Sequence, residues 1–361
     1  MGISKNKIAI LCDYELLPER VGGMDYFFWA FDEKCKENNI QVDWFFPNVS
    51  THGKYANLNI KSTNYQSLEH FFIDFHNKNH TAYSHIITHF LELCTPFYSK
   101  LSKISTAKVI AVDHNPRPLN GYPLKKKIQK RIKGLLYSRY INTFIGVSNY
   151  TKEELIKDFG TQIKKKIKLI YNGIVLEDIQ VRQKRSETKP RFLTASHLRE
   201  SKGIQDLIHA VFLLSETIKE EIVIDVYGDG PYKTELQNLV ISLDLSTCFN
   251  FKGSTSNLKS VYCNYDYLLQ PTHMECFSLS VLESLAANVP VITTNVGGNQ
   301  EAVTDGINGY IVNAKNIEEL TNIIQSTYFG DKKIEINTRT LIENSFSLKK
   351  MVENHWELIR E

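Results

Sequence analysis

Two glutamates with seven residues between them are the strongest chemical signal in the chain. Glu275 and Glu283 lie in Gln270-Pro271-Thr272-His273-Met274-Glu275-Cys276-Phe277-Ser278-Leu279-Ser280-Val281-Leu282-Glu283. The apolar run 267–270 reads as a strand ended by Pro271, and Ser278 or Ser280 suits the N-cap of a following helix. Glu275 is then a loop carboxylate, and Glu283 an early helical one leaning toward the helix N-terminus. Between them, the backbone N–H groups around Phe277, Ser278 and Leu279 lack intrahelical acceptors. Such N–H groups suit phosphate, and flanking carboxylates suit ribose and sugar hydroxyls. The same spacing also fits an ordinary acid stabilised by the helix dipole.

Other turns carry weaker signals. Gly22-Gly23 opens a helix after a strand and would let a phosphate approach the backbone, or would serve as a flexible turn. Ser196-His197-Leu198-Arg199-Glu200-Ser201-Lys202-Gly203 also links a strand to a helix, and Lys202 offers a point charge suited to a diphosphate. A solvated charge cluster is the alternative there. Gly228-Asp229-Gly230-Pro231 reads as an architectural turn. His114, in Asp113-His114-Asn115, sits at the carboxyl end of a strand-like run, as a structural or a reactive histidine. There is no G-x-G-x-x-G and no Walker motif, which removes the main support for dinucleotide or P-loop chemistry. Neither Asp-x-Asp nor Cys-x-x-Cys occurs, so no metal is expected, and six scattered cysteines fit a reducing cytoplasm.

These turns need a scaffold that presents strand ends. Apolar runs at 8–12, 42–46, 85–88, 109–112, 144–147 and 167–170 form one strand set. Runs at 192–195, 222–226, 250–252, 267–270, 289–293 and 310–312 form another. Helical patterns at 23–38, 124–139, 203–215 and 232–243 lie between them, which predicts parallel sheets covered by helices. Twelve strands suggest two six-stranded units, with the polar stretch 177–190, including Ser186 and Thr188, as the linker. Hydrophobic residues make up 42% and charged residues 23%, the balance of a folded chain. Residues 1–180 carry 25 Lys and Arg against 17 Asp and Glu, while the remainder carries 18 against 23, so the first half is the basic one. The start of the chain, with Lys5 and Lys7 before a strand, reads as lacking a signal peptide, and no apolar stretch is long enough to span a bilayer.

The pair Glu275…Glu283, followed by Asn288-Val289-Pro290-Val291-Ile292 and Val296-Gly297-Gly298-Asn299-Gln300-Glu301, resembles the donor site of retaining family-four glycosyltransferases. The resemblance continues in order through Gly22-Gly23, Tyr171-Asn172-Gly173, Lys202-Gly203, Gly228-Asp229-Gly230-Pro231 and Phe251-Lys252-Gly253. It implies an α/β GT-B fold of two Rossmann-like domains facing across a cleft. An acceptor-side domain would occupy 1–176 and a nucleotide-sugar domain 177–345, with a helix in 346–361 crossing back to the first. It implies that Glu283 binds ribose, Glu275 holds donor-sugar hydroxyls, and Phe277, Ser278 and Leu279 meet phosphate and sugar through their backbone. Lys202 and the Gly22-Gly23 amides would stabilise the leaving diphosphate, Gly253 would lie at the base, and His114 beside the donor sugar. Where the family has an arginine before the lysine turn, this chain has His197, and Arg199 stands one turn on.

The family further implies a retaining, metal-independent transfer with no cofactor beyond the nucleotide-sugar donor. The favoured course is front-face attack, with the departing phosphate assisting deprotonation of the acceptor. The acceptor expected is a glycan or a lipid-linked sugar, as in bacterial surface polysaccharide assembly. Lys125-Lys126-Lys127-Ile128-Gln129-Lys130-Arg131-Ile132-Lys133 reads as a basic helix with Leu124, Ile128, Ile132 and Leu135 on one stripe. Either the stripe packs on its own sheet, or the helix meets an anionic membrane surface. Lacking interleaved aromatics, the basic run does not suggest nucleic acid. A cytoplasmic protein, peripheral at the inner face of a membrane, is expected. The competing readings are a catalytically silent sugar-nucleotide-binding scaffold and a GT-B epimerase or phosphorylase.

Overall fold

The computed structural model describes residues 7–184, 189–255 and 257–360, apart from the side chain of Arg20. Lys5, Ser186 and Thr188, singled out above, lie outside them. The chain divides into two compact units. One comprises 1–116, 120–173 and 348–361, and the other 117–119 and 174–347.

The first unit is a seven-stranded sheet in the order β3-β2-β1-β4-β5-β6-β7. Its strands are β1 (Lys7–Cys12), β2 (Gln41–Phe46), β3 (Asn59–Ser62), β4 (His85–His89), β5 (Lys108–Asp113), β6 (Thr143–Gly146) and β7 (Ile167–Leu169). Every pairing is parallel. The helices are α1 (Gly23–Glu37), α2 (Leu68–Asn79), α3 (Pro96–Ile104), α4 (Leu124–Tyr137) and α5 (Asn149–Phe159). The central strands are buried along nearly their whole length, which explains their continuous apolar runs. The sixfold expectation missed β3, a four-residue edge strand of sequence NIKS with no buried position and so no apolar run to betray it.

The second unit is a six-stranded sheet in the order β10-β9-β8-β11-β12-β13, again wholly parallel. Its strands are β8 (Phe192–Ala195), β9 (Ile224–Tyr227), β10 (Phe249–Gly253), β11 (Tyr267–Gln270), β12 (Val291–Thr294) and β13 (Gly309–Val312). The helices are α6 (Ile204–Phe212), α7 (Glu216–Lys219), α8 (Lys233–Ser242), α9 (Leu258–Val261), α10 (Leu279–Ala286), α11 (Asn299–Ala302), α12 (Ile317–Phe329) and α13 (Arg339–Ser345). Leu207, Ile208, Val211, Ile224, Val226, Leu269, Ile292 and Ile324 form the centre of its core.

The last helix, α14 (Leu348–Arg360), belongs to the first unit, where it packs on α1. Lys34 pairs with Glu353 at 3.0 Å, and the Phe27 and His355 rings lie 4.7 Å apart.

The stretch 177–190 is not a free linker. The described part of it is held by the second unit, whose boundary falls before Ile174. Arg182 is buried, with its guanidinium bonded to the Asp266 carboxylate, the Tyr265 carbonyl and the Lys184 carbonyl. A buried guanidinium needs such partners because desolvating it alone is costly. The polarity that marks a linker in sequence here comes partly from an internal ion pair.

Candidate functional site

In each sheet the strand order reverses direction once. The reversal falls between β1 and β4 in the first unit and between β8 and β11 in the second. Ligands of such sheets bind beyond the carboxyl ends of the strands at that point, because the connections leave on opposite faces and open a crevice. In the second unit the loops leaving β8 and β11 are the Lys202 turn and the Glu275 loop.

The structure brings these two together. Lys202 Nζ donates to Glu275 Oε2 at 2.6 Å, and both side chains are mostly buried. The backbones are tied as well. His273 N–H donates to the Ser201 carbonyl at 2.8 Å, as does the Thr272 hydroxyl at 3.1 Å. His273 Nε2 bonds Asp206 Oδ2 at 2.6 Å, fastening the loop to α6. Gly203 makes this contact possible. Its φ is +70°, and a Cβ there would stand 1.8 Å from the Pro271 carbonyl oxygen. On the opposite side Gly297, at φ +61°, leaves room for the Glu275 carbonyl, which a Cβ would meet at 2.0 Å. Gly298 N–H then donates to the Cys276 carbonyl at 2.9 Å. Glu275 is thus held between two glycine turns.

Beyond it, Ser278 caps α10 by accepting from the Val281 N–H at 3.5 Å, and its hydroxyl also accepts from Gln270 Nε2 at 2.8 Å. Phe277 and Ser278 are buried, while Leu279 and Ser280 are partly exposed at the helix start, where first-turn amides have no intrahelical acceptor. Glu283 lies one turn into α10 and accepts from the Tyr262 hydroxyl at 3.2 Å. Burial pushes its carboxyl up to about 7, even though the nearby Lys259 charge and the Tyr262 hydroxyl pull it down. A carboxyl displaced this far by burial, beside the start of a helix, is a candidate functional group. His197 and Arg199 are exposed on the Lys202 turn. His197 acts on Asp229, helping to lower that carboxyl, although Lys233 and the Gly230 amide do more. Gly253 ends β10, its carbonyl accepting from Gly228 N–H at 2.9 Å, with open space around it.

In the first unit, two expectations meet a different arrangement. The Gly22 amide is already occupied. It donates to Asp25 Oδ2 at 2.8 Å, and the fully buried Asp25 also accepts from Tyr14 at 2.9 Å and Tyr55 at 2.6 Å. An acid in the first turn of α1 satisfies the orphan amide that a phosphate would otherwise meet, so Gly22 is not an open phosphate donor here. Gly23 begins α1 itself. His114 follows β5, and its Nε2 bonds His89 Nδ1 at 3.0 Å, while its ring stacks on Phe90 at 4.3 Å. His355 of α14 stacks on His89 at 6.2 Å, with its Nδ1 on the Met351 carbonyl at 2.9 Å. Burial is the main cause that lowers all three imidazoles, His114 to about 3 and His355 to about 4, so the stack is neutral at pH 7. Sequence reasoning missed His89, His355, Tyr262 and the Asp206–His273 tie. Only His89 left a trace, as a second histidine at the end of a strand bordering the reversal.

Residues 177–335 match the family model of the glycosyl transferases group 1. An uncharacterized glycosyltransferase of Methanocaldococcus jannaschii is 29% identical over 207 residues, 52% of this chain and 52% of that protein. A 41.2 kDa uncharacterized protein in the cps region of Klebsiella pneumoniae is 25% identical over 252 residues, 65% of this chain and 66% of that protein. The chain thus spans between half and two thirds of these relatives. HepE of Anabaena, crystallised in complex with UDP, matches with a TM-score of 0.77 at 16% identity, over 98% of this chain and 99% of that one. The fold is GT-B. The GT-B topology accounts for the two parallel sheets, and the family match lies wholly within the second unit, on the segment that holds Lys202, Glu275 and Glu283.

Among the described residues, no group of three or more His, Cys, Asp or Glu side chains is arranged to hold a metal ion. No described helix is long and apolar enough to cross a membrane.

Proposed function

We propose that the chain is a retaining glycosyltransferase that moves a sugar from a nucleotide-diphosphate sugar to a glycan or lipid-linked acceptor in surface polysaccharide synthesis. The observation that carries this reading is the Lys202–Glu275 pair beside the start of α10, with Glu283 one turn on. The cation and the helix N-terminus suit a diphosphate, and the two carboxylates suit two sets of hydroxyls. The family match, the UDP bound by HepE and the cps-region relative all point the same way.

In this mechanism Glu283 accepts from ribose hydroxyls and Glu275 from the transferred sugar. As the glycosidic bond to phosphate breaks, charge builds on the departing diphosphate. Lys202 and the first amides of α10 stabilise that charge, with His197 or Arg199 as the second cationic group in place of the usual arginine. Preorganised donors of this kind are worth roughly 3 kcal/mol each in a water-poor site. The acceptor attacks from the same face and loses its proton to the leaving phosphate. His114, neutral and stacked, presents an uncharged ring. On this reading the reaction takes place on the cytoplasmic side, where nucleotide sugars are made.

The decisive experiment pairs a thermal-shift screen against nucleotide sugars with a transfer assay on the selected donor. A true donor at 100 times its dissociation constant should stabilise the protein by about 2.7 kcal/mol. Transfer with retained anomeric configuration supports the reading. Binding without transfer or hydrolysis would favour the silent scaffold, and an epimerised sugar nucleotide would favour the epimerase.

Transfer should also persist in excess EDTA, because the diphosphate charge is met by Lys202 and helix amides. Loss of turnover in EDTA that magnesium or manganese restores would overturn the metal-independent mechanism.

A further inference from the structure

The helix α4 is amphipathic the wrong way round for a core element. Its sequence, Leu-Lys-Lys-Lys-Ile-Gln-Lys-Arg-Ile-Lys-Gly-Leu-Leu-Tyr, contains no acid. Its one buried residue is Gly134, where a Cβ would stand 2.0 Å from the Phe159 carbonyl, so this face lies backbone-tight on α5. Lys130, on the same side, pairs with Asp158 at 3.1 Å, and Lys133 pairs with Glu92 at 2.5 Å. The apolar stripe does not pack on the sheet. Leu124 is 74% exposed, Leu135 70%, and Ile128, Ile132 and Leu136 about half. Helical spacing of about 100° per residue sets this stripe roughly opposite Lys130 and Gly134. Lys127 and Arg131, both exposed, border one edge of it, and the exposed Lys125 emerges within it between Ile132 and Leu136.

Single exposed leucines are ordinary, but five large apolar side chains in one stripe bordered by cations are not. We infer that α4 docks in the plane of an anionic phospholipid bilayer, with Leu124, Ile128, Ile132, Leu135 and Leu136 entering the acyl boundary and Lys125, Lys127 and Arg131 meeting the headgroups. The charge pattern selects this occupant over a second copy of the chain. An isologous dimer through the stripe would bring the same cations against one another, whereas a bilayer of anionic lipid matches them. The inference goes beyond the transferase reading and stands without it. If both hold, the lipid surface is where a lipid-linked acceptor is met.

The test is flotation of the full-length protein with vesicles of phosphatidylglycerol and phosphatidylcholine, against phosphatidylcholine alone, without any nucleotide sugar. Binding should require the anionic lipid and weaken as salt rises. Each cation contributes roughly a fivefold factor near such a surface, so K125Q/K127Q/R131Q together should lower partitioning by roughly 100-fold. L124S/I128S/L135S should abolish it. Both variants should keep the parent melting temperature and donor-induced thermal shift, because the altered side chains are all exposed on α4 and none belongs to the Lys202–Glu275 pair. Lys130 and Lys133 are left alone because they hold α4 in place. The inference is overturned if the parent ignores anionic vesicles at low salt or if the leucine variant binds as the parent does. Concentration-dependent dimerisation in sedimentation that the leucine variant abolishes would also overturn it, assigning the stripe to a second copy.

Discussion

Lys202→Met should lower the transfer rate by roughly 100- to 1,000-fold while leaving the fold intact. That is the loss seen when one preorganised donor to a developing negative charge is removed. The methionine keeps the apolar length of the side chain and removes only the ammonium. In the free protein that ammonium is engaged with Glu275 at 2.6 Å, so the substitution also strands a mostly buried carboxylate and should reduce stability by roughly 1–2 kcal/mol. The two effects can be separated. In Lys202→Met/Glu275→Gln no charge is left unpaired, so the stability loss should be largely recovered, whereas transfer should stay at the low level of the single variant or below. Rates from initial velocities at saturating donor, with denaturant midpoints beside them, read both quantities. Transfer within twofold of the parent in a folded Lys202→Met protein would show that the diphosphate leaves without this cation. Recovery of transfer in the double variant would show that the pair is only structural.

The pair also marks the boundary of what the chain reveals before it folds. Strands buried on both faces announce themselves as apolar runs, which is why β8 and β11 carry the limits read from sequence, and why the loops that follow them could be picked out. The strand β3 could not, because an edge strand with no buried side chain has no such pattern. Motif residues within one loop were legible together. Their partners were not. Lys202 and Glu275 are 73 positions apart, and His89, His114 and His355 come from two strand ends and the last helix. Polarity misled where it was buried, as at Arg182, and the apolar stripe of α4 left two readings open until its exposure removed one of them. Both cases have one cause. Composition reports what a segment could bury, and only the neighbours decide what it does bury. Asp25 is the same lesson at a smaller scale, since an acid three residues after Gly22 takes the very amide that glycine seems to offer to a ligand.

Glu283→Gln should make the protein more stable at pH 8 and at the same time a poorer nucleotide binder. Burial is the main cause that raises this carboxyl from its ordinary value of 4.5 to about 7. The folded protein therefore holds the proton more tightly than the unfolded chain does. The stabilisation that this provides is fully present below about 4.5, is lost as the pH rises through about 7, and is absent at pH 8. A neutral glutamine escapes that loss, so the gain should approach about 3 kcal/mol at pH 8 and shrink toward zero at pH 4.5. Hydrogen bonds from ribose to an ionised carboxylate are worth roughly 1.5–3 kcal/mol, so affinity for the donor's nucleoside diphosphate should fall by roughly 10- to 100-fold at pH 8. Below pH 6 the parent is mostly protonated, and the two proteins should bind alike. Urea midpoints and titration calorimetry at both pH values measure the two effects on the same samples. Unchanged affinity at pH 8 would remove Glu283 from the ribose site.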